Sequence, residues 1–157
     1  MISEEKKIVP LLASANFGAS TDCDSINMAG FHKATFIFIF GACTGNVTLT
    51  PKSGAAAGTS TTAVPTKYAL GGAAVGTAVP VTTSAASADV LVAWAASTST
   101  IVSTATTKML VVEIDASDMT DGEEWLTINL AATAGIVGAC AILEPRYTKN
   151  RSDTALA

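Results

Sequence analysis

Apolar residues fall in short runs along this chain, separated at roughly ten-residue spacing by Gly, Ser, Thr, Asn and Asp, and their period is closer to two than to 3.6. The clearest run, residues 35–40 (TFIFIF), is β-branched and aromatic throughout. It is apolar on both faces, which predicts a strand covered on both sides, with Phe36, Phe38 and Phe40 sharing one face. Residues 46–50 (NVTLT) alternate and predict a half-buried strand, so residues 35–50 read as a β-hairpin with a short loop. Residues 108–114 (KMLVVEI) predict a second strong strand, and residues 125–130 (WLTINL) alternate cleanly. The acidic stretch 115–124, with Asp121-Gly122 at its tip, reads as the turn joining these two as a hairpin or adjacent pair. Residues 8–13 predict a first strand, placed at a sheet edge by Pro10. Further strands are predicted at 64–70 and 138–143, while residues 89–94 read as a strand or a short buried segment and 97–107 as a strand or an extended loop. Residues 16–30 and 52–62 read as loops, 71–80 carries no assignment, and Gly135 and Gly138 mark a turn or bulge.

No long amphipathic helix is predicted. The pattern points to one all-β domain over residues 1–157, a β-sandwich or a jelly-roll-like barrel. Residues 1–7 read as a flexible N-terminal arm and residues 147–157 as a flexible C-terminal tail. Composition sharpens this picture. Charged residues make up 14% of the chain, against about a quarter in an ordinary globular protein, so the surface is unusually neutral. Much of the apolar content is alanine, 29 residues, beside 22 Thr, which suits flat, closely packed contact surfaces. A net charge of −4 without a basic stripe argues against a nucleic-acid partner. The charged N-terminus has no long apolar stretch after it, so no signal peptide is expected. The apolar stretches 34–43 and 131–143 are shorter than the ~20 residues of a spanning helix, so no membrane partner is expected and synthesis is assigned to a host cytoplasm.

Candidate chemistry changes the picture little. His32 is the single histidine; with Cys23, Asp22 and Asp24 it lacks the spacing of a zinc site, and a surface or interface role is the favoured reading. Cys23, Cys43 and Cys140 are far apart and odd in number, so reduced, buried thiols are expected, although Cys43 lies in a turn where it could be exposed. Asp115, Asp118, Asp121, Glu123 and Glu124 raise a calcium hypothesis, but their register does not match a calcium-binding loop, and a solvated turn is favoured. There is no G-x-S-x-G elbow and no phosphate loop. No catalytic residue, metal ligand or cofactor is therefore assigned. Trp94 and Trp125 read first as core anchors and second as interface residues.

Three segments carry a resemblance. They are Asp24-Ser25-Ile26-Asn27-Met28 running into the apolar strand 34–40 and Thr44-Gly45; Met109-Leu110-Val111-Val112-Glu113-Ile114 leading through Asp118-Met119 to Trp125-Leu126; and Ala141-Ile142-Leu143-Glu144-Pro145-Arg146-Tyr147. In this order they resemble small proteins of tailed-bacteriophage structural gene clusters, specifically head decoration, or cement, proteins. The likeness spans most of the chain, with residues 53–107 contributing little. It implies a virion protein on the outer capsid surface that binds the major capsid protein, stabilises the head and self-associates, typically as a homotrimer. It implies contacts through the arms, here Glu4, Glu5, Lys6 and Lys7 at one end and Arg146, Tyr147, Lys149 and Arg151 at the other, with Trp125 as a further candidate. The alternatives are a head–tail joining or tail-tube protein and, from another class, a β-sandwich module binding carbohydrate on a host surface. Tube subunits usually carry a helix, and a carbohydrate module would need more exposed aromatics than a chain with 6% aromatic residues offers.

Overall fold

The computed structural model describes residues 5–71, 95–103, 105–131, 135–147 and 155–156. Within them run β1 (Lys7–Asn16), β2 (Thr21–Asp22), β3 (Ile26–Asn27), β4 (Phe31–Cys43), β5 (Val47–Gly54), β6 (Thr62–Ala63) and β7 (Thr66–Gly71). These are followed by β8 (Ala95–Ser97), β9 (Ile101–Ser103), β10 (Met109–Asp115), β11 (Trp125–Leu130) and β12 (Gly135–Pro145). A single 3-10 turn, Ala116–Asp118, follows β10. The predicted strand at 89–94, with Trp94, lies outside the described residues, as does most of 71–80.

The strands form two antiparallel sheets packed face to face, a β-sandwich rather than a closed barrel. The first sheet has the order β1-β12-β4-β10-β7-β8. The second has the order β2-β11-β5-β6, with β3 also on β11 and β9 also on β5. As Pro10 predicts, β1 is an edge strand, and its register on β12 slips twice between Pro10 and Ala15. A register shift between Gly135 and Val137 places a bulge where the glycines predict one.

Alternation decides what lies between the sheets. Phe36, Phe38 and Phe40 of β4 are fully buried and stack at centroid spacings of 6.4 and 6.1 Å, with Phe17 tilted against Phe40 at 6.0 Å. Val137, Ala141 and Leu143 of β12 and Leu110, Val112 and Ile114 of β10 complete this side. Val47, Leu49, Leu126, Ile128 and Leu130 of the second sheet face them. Burying each large side chain contributes on the order of 1.5–3 kcal/mol, which makes this shared layer the main source of stability.

Three expectations are corrected. β4 and β5 do not form a hairpin: β4 pairs with β12 and β10, whereas β5 pairs with β11, β6 and β9. Both edges of β4 are filled, by β12 and β10, so β5 cannot pair beside it and the chain crosses to the other sheet. The same reason separates β10 from β11, because β10 lies between β4 and β7. Finally, β4 is not covered on both sides. Its phenylalanine face is buried, but on the opposite face Ile37 is half-buried and Ile39 is 56% exposed.

Candidate functional site

The exposed isoleucines gather on the outer face of the first sheet, and cross-strand register shows why. Each strand sends one alternate set of side chains inward, so the other set lines up outside as rows across the strands. One row runs Ile8–Ile142–Thr35 and the next Pro10–Cys140–Ile37, continuing to Val111 and Ala69. A third joins Gly138, Ile39 and Met109. Ile136 stands beside Gly41, where an added Cβ would meet the Ile136 Cβ at 3.3 Å. Ile8, Ile39 and Ile136 are each more than half exposed, although they sit on long, well-paired strands. At the β10–β7 end of the same face Val111 and Ala69 are buried.

The surface is low in relief, because glycine, alanine, proline and cysteine alternate with isoleucine, and its charges are confined to one margin. There the Lys33 ammonium lies 2.7 Å from Glu113, and Lys6 donates to Glu144 at 2.5 Å. The hydrogen bond from Lys6 holds the Glu144 carboxyl below the usual carboxylate range, and the bond to Glu113 pushes Lys33 above the usual ammonium range. Each charge has its opposite at hand, so the margin adds little net field.

The residues singled out from sequence are distributed unevenly. Glu5 is exposed, Lys6 makes the Glu144 pair, and Lys7 is the first residue of β1, opposite Leu143. Thus the arm expected to extend to residue 7 is already part of the sheet at Lys7. The Arg146 Nε donates to the Phe31 carbonyl at 3.0 Å, and its backbone N–H donates to Gly30. Tyr147 is 67% exposed. Lys6, Lys7, Arg146 and Tyr147 therefore stand at one end of the first sheet. Trp125 belongs to the second sheet, half-buried opposite Asn27 and Gly54. Glu4, Lys149 and Arg151 lie outside the described residues. The isoleucine rows were not singled out in advance. Their signal was the two-sided apolarity of residues 35–40, read there as cover on both faces.

Of the remaining chemical candidates, Glu123 has a structural role. Glu123 accepts hydrogen bonds from Ser53 at 2.5 Å and Thr62 at 3.1 Å, tying the turn after β10 to β5 and β6. Among the described residues, no group of three or more His, Cys, Asp and Glu side chains converges as a metal ligand set. His32 is exposed. Cys23 is buried, and desolvation aided by Asp22 and Asp24 pushes its thiol up to about 12, which keeps it unreactive at neutral pH. Cys140 is half-buried rather than buried as expected, because it points to the outer face, and Cys43, expected in a turn, is the half-buried last residue of β4. An open cleft of about 190 Å³ runs beside Met28, Met119, Asp121, Glu124 and Arg146. Among the described residues, no helix is long and apolar enough to cross a membrane.

No protein-family model, curated protein or solved structure matches this chain.

Proposed function

We propose that this chain is a structural attachment protein, a decoration protein of a tailed-phage head that lays the outer face of its first sheet on the capsid lattice. The observation that carries the reading is that face: isoleucines half in water on well-paired strands, separated by small residues, with charge only at the margin. Exposed apolar patches of this kind on an otherwise satisfied fold mark association surfaces. Each half-exposed isoleucine has on the order of 1 kcal/mol still to gain on burial. One copy thus gains modestly, and repetition over a lattice makes the total attachment strong. The major capsid protein is the proposed partner, with self-association, as a trimer, around the lattice symmetry axes. Lys6, Arg146 and Tyr147, at one end of the same sheet, extend the contact.

The test is the copy number of this chain per purified virion by quantitative mass spectrometry, combined with rebinding of the protein to stripped capsids. Copies in the hundreds, and rebinding that Ile39→Asp weakens about tenfold or more, are the expected result. A handful of copies, or rebinding indifferent to Ile39→Asp, overturns the reading.

A further inference from the structure

The turn that leads into β10 holds its backbone in a shape that its sequence does not favour. The Lys108 N–H donates to the Ala105 carbonyl at 3.0 Å, closing a four-residue turn in which Thr107 is the third residue. Thr107 has φ +55°, and among the described residues it is the one residue other than glycine in the left-handed region. That position of a turn ordinarily falls to Gly or Asn, because a β-branched side chain there crowds its own backbone. Glycine would make every backbone hydrogen bond of this turn without that crowding. The Thr107 hydroxyl donates to the adjacent Thr106 carbonyl at 2.7 Å, a bond that ties it to nothing beyond the turn. The geometry of the turn thus favours glycine at 107, where the chain has threonine.

The place of the turn gives that side chain a use. The Thr107 N–H donates to the Gly41 carbonyl at 2.9 Å, and the Thr106 hydroxyl donates to the Cys43 carbonyl at 3.1 Å. The turn is therefore fastened at two points to the last residues of β4. Gly41 lies beside the exposed Ile136, and Met109, two residues beyond Thr107, pairs with Ile39. Half-buried Thr107 accordingly borders the isoleucine face, at the end away from the charged margin. Rows of isoleucine attach a flat partner but fix its register weakly, because apolar attraction has no direction. A polar atom held on a rigid turn supplies direction.

We propose that Thr107 is a register-setting contact of the association face, its hydroxyl oxygen accepting a hydrogen bond from a donor on the capsid lattice. The inference rests on the attachment reading above and adds to it the residue that fixes the partner's position. A hydroxyl that donates to Thr106 keeps its lone pairs for such a donor. A threonine in the left-handed region persists only where its surroundings hold it, as the two fastenings to β4 do here, and residues of this kind cluster at functional sites. Stability is given up at 107 and binding specificity is gained.

Thr107→Gly, Thr107→Val and Ile39→Asp are compared with the parent in urea unfolding and in rebinding to stripped capsids. Thr107→Gly is expected to raise the unfolding midpoint and yet weaken rebinding about three- to tenfold, the share of one hydrogen bond. Thr107→Val keeps the branched shape and loses the oxygen. It is expected to weaken rebinding by the same factor with no rise in midpoint, which separates the lost contact from the added freedom of glycine. A midpoint for Thr107→Gly no higher than the parent's overturns the proposal, as does parent-like rebinding by either variant. Where Ile39→Asp weakens rebinding in the same experiment, the failure belongs to Thr107 alone; where Ile39→Asp also rebinds like the parent, the attachment reading falls with it.

Discussion

The two outer faces of this sandwich are covered differently, the first built on the long strands β1, β4 and β12 and the second on the shorter β5 and β11. Outside the second sheet most alternate positions are polar and several satisfy one another, although Val102 is 56% exposed and Trp125 half-buried there. Asn129 donates to Ser20 at 3.0 Å and to Asp22 at 2.6 Å. Ser25 and Thr127 share a buried hydrogen bond of 2.7 Å, and the Gly58 N–H donates to Ser25 at 2.9 Å, folding the loop after β5 over them. Outside the first sheet the same positions carry Ile8, Ile37, Ile39, Ile136 and Ile142, and three of these are more than half exposed. A polar face completes its hydrogen bonds within the chain. An apolar face completes its burial only against another surface. The difference makes the first sheet the face on which to test association, and it can be broken or sharpened experimentally.

The largest effect should come from the layer both faces share. Phe38→Ala is expected to cost about 3–5 kcal/mol in urea unfolding, while Ile39→Ala, its neighbour on the outer face, should cost less than about 1 kcal/mol. Equal costs would mean that the outer face is in fact packed within the single chain. Next comes the cover of the second sheet. A Cβ at Gly54 would run into the carbonyl and hydroxyl of Thr59. Gly54→Ala should therefore cost about 1–3 kcal/mol through overpacking. Ser25→Ala, which strands the Gly58 N–H and the Thr127 hydroxyl, should cost a similar amount. Hydrogen exchange should quicken at Gly58 in both variants and stay unchanged on β4.

On the first sheet the expected loss is in association and not in stability. Ile39→Asp should weaken attachment to the partner lattice about tenfold or more, roughly 1.4 kcal/mol, with an unfolding midpoint close to that of the parent. Sedimentation of protein with capsids checks this, and a variant that still sediments fully would contradict it. The smallest effect belongs to the charged margin. Glu144 has its carboxyl lowered by Lys6, so its stabilisation is present above the ordinary carboxylate value of 4.5 and is lost as pH falls through the lower folded value. Lys33 is raised by Glu113, so its stabilisation is complete below 10.5 and is lost as pH rises through the higher folded value. Both pairs are well solvated and should be worth no more than about 0.5 kcal/mol each. Lys33→Ala and Lys6→Ala should accordingly flatten the alkaline and acid limbs of a stability–pH profile only slightly, and added salt should do the same.

Local pattern was legible where a strand's own residues decide its state. Residues 35–40, 108–114 and 125–130 fall on β4, β10 and β11 because β-branched and aromatic side chains in alternation suit a pleated surface. Pro10 marked the edge because it cannot donate to a ladder on both sides. Loop readings held less well. Residues 16–30 contain β2, β3 and the buried Phe17, Cys23, Ile26 and Met28, although Gly, Ser, Asp and Asn lead the composition there. Tertiary packing captured the few apolar residues among them. The stretch expected to be a mobile tail likewise returns Ala155 to the core.

The candidate surface was less legible still. Arm residues drew notice by their charge, whereas the isoleucine rows exist only once β1, β12 and β4 are side by side. By itself, the sequence determined that this chain would be strands with an alternating interior, because a side chain's period along its own strand is a local property. Only the tertiary structure decided which sheet each strand joined, and therefore which isoleucines stayed in water. Pairing depends on whether a neighbour's edge is already filled, and that is settled by residues far away in the chain, as β10 and β12 settle it for β4.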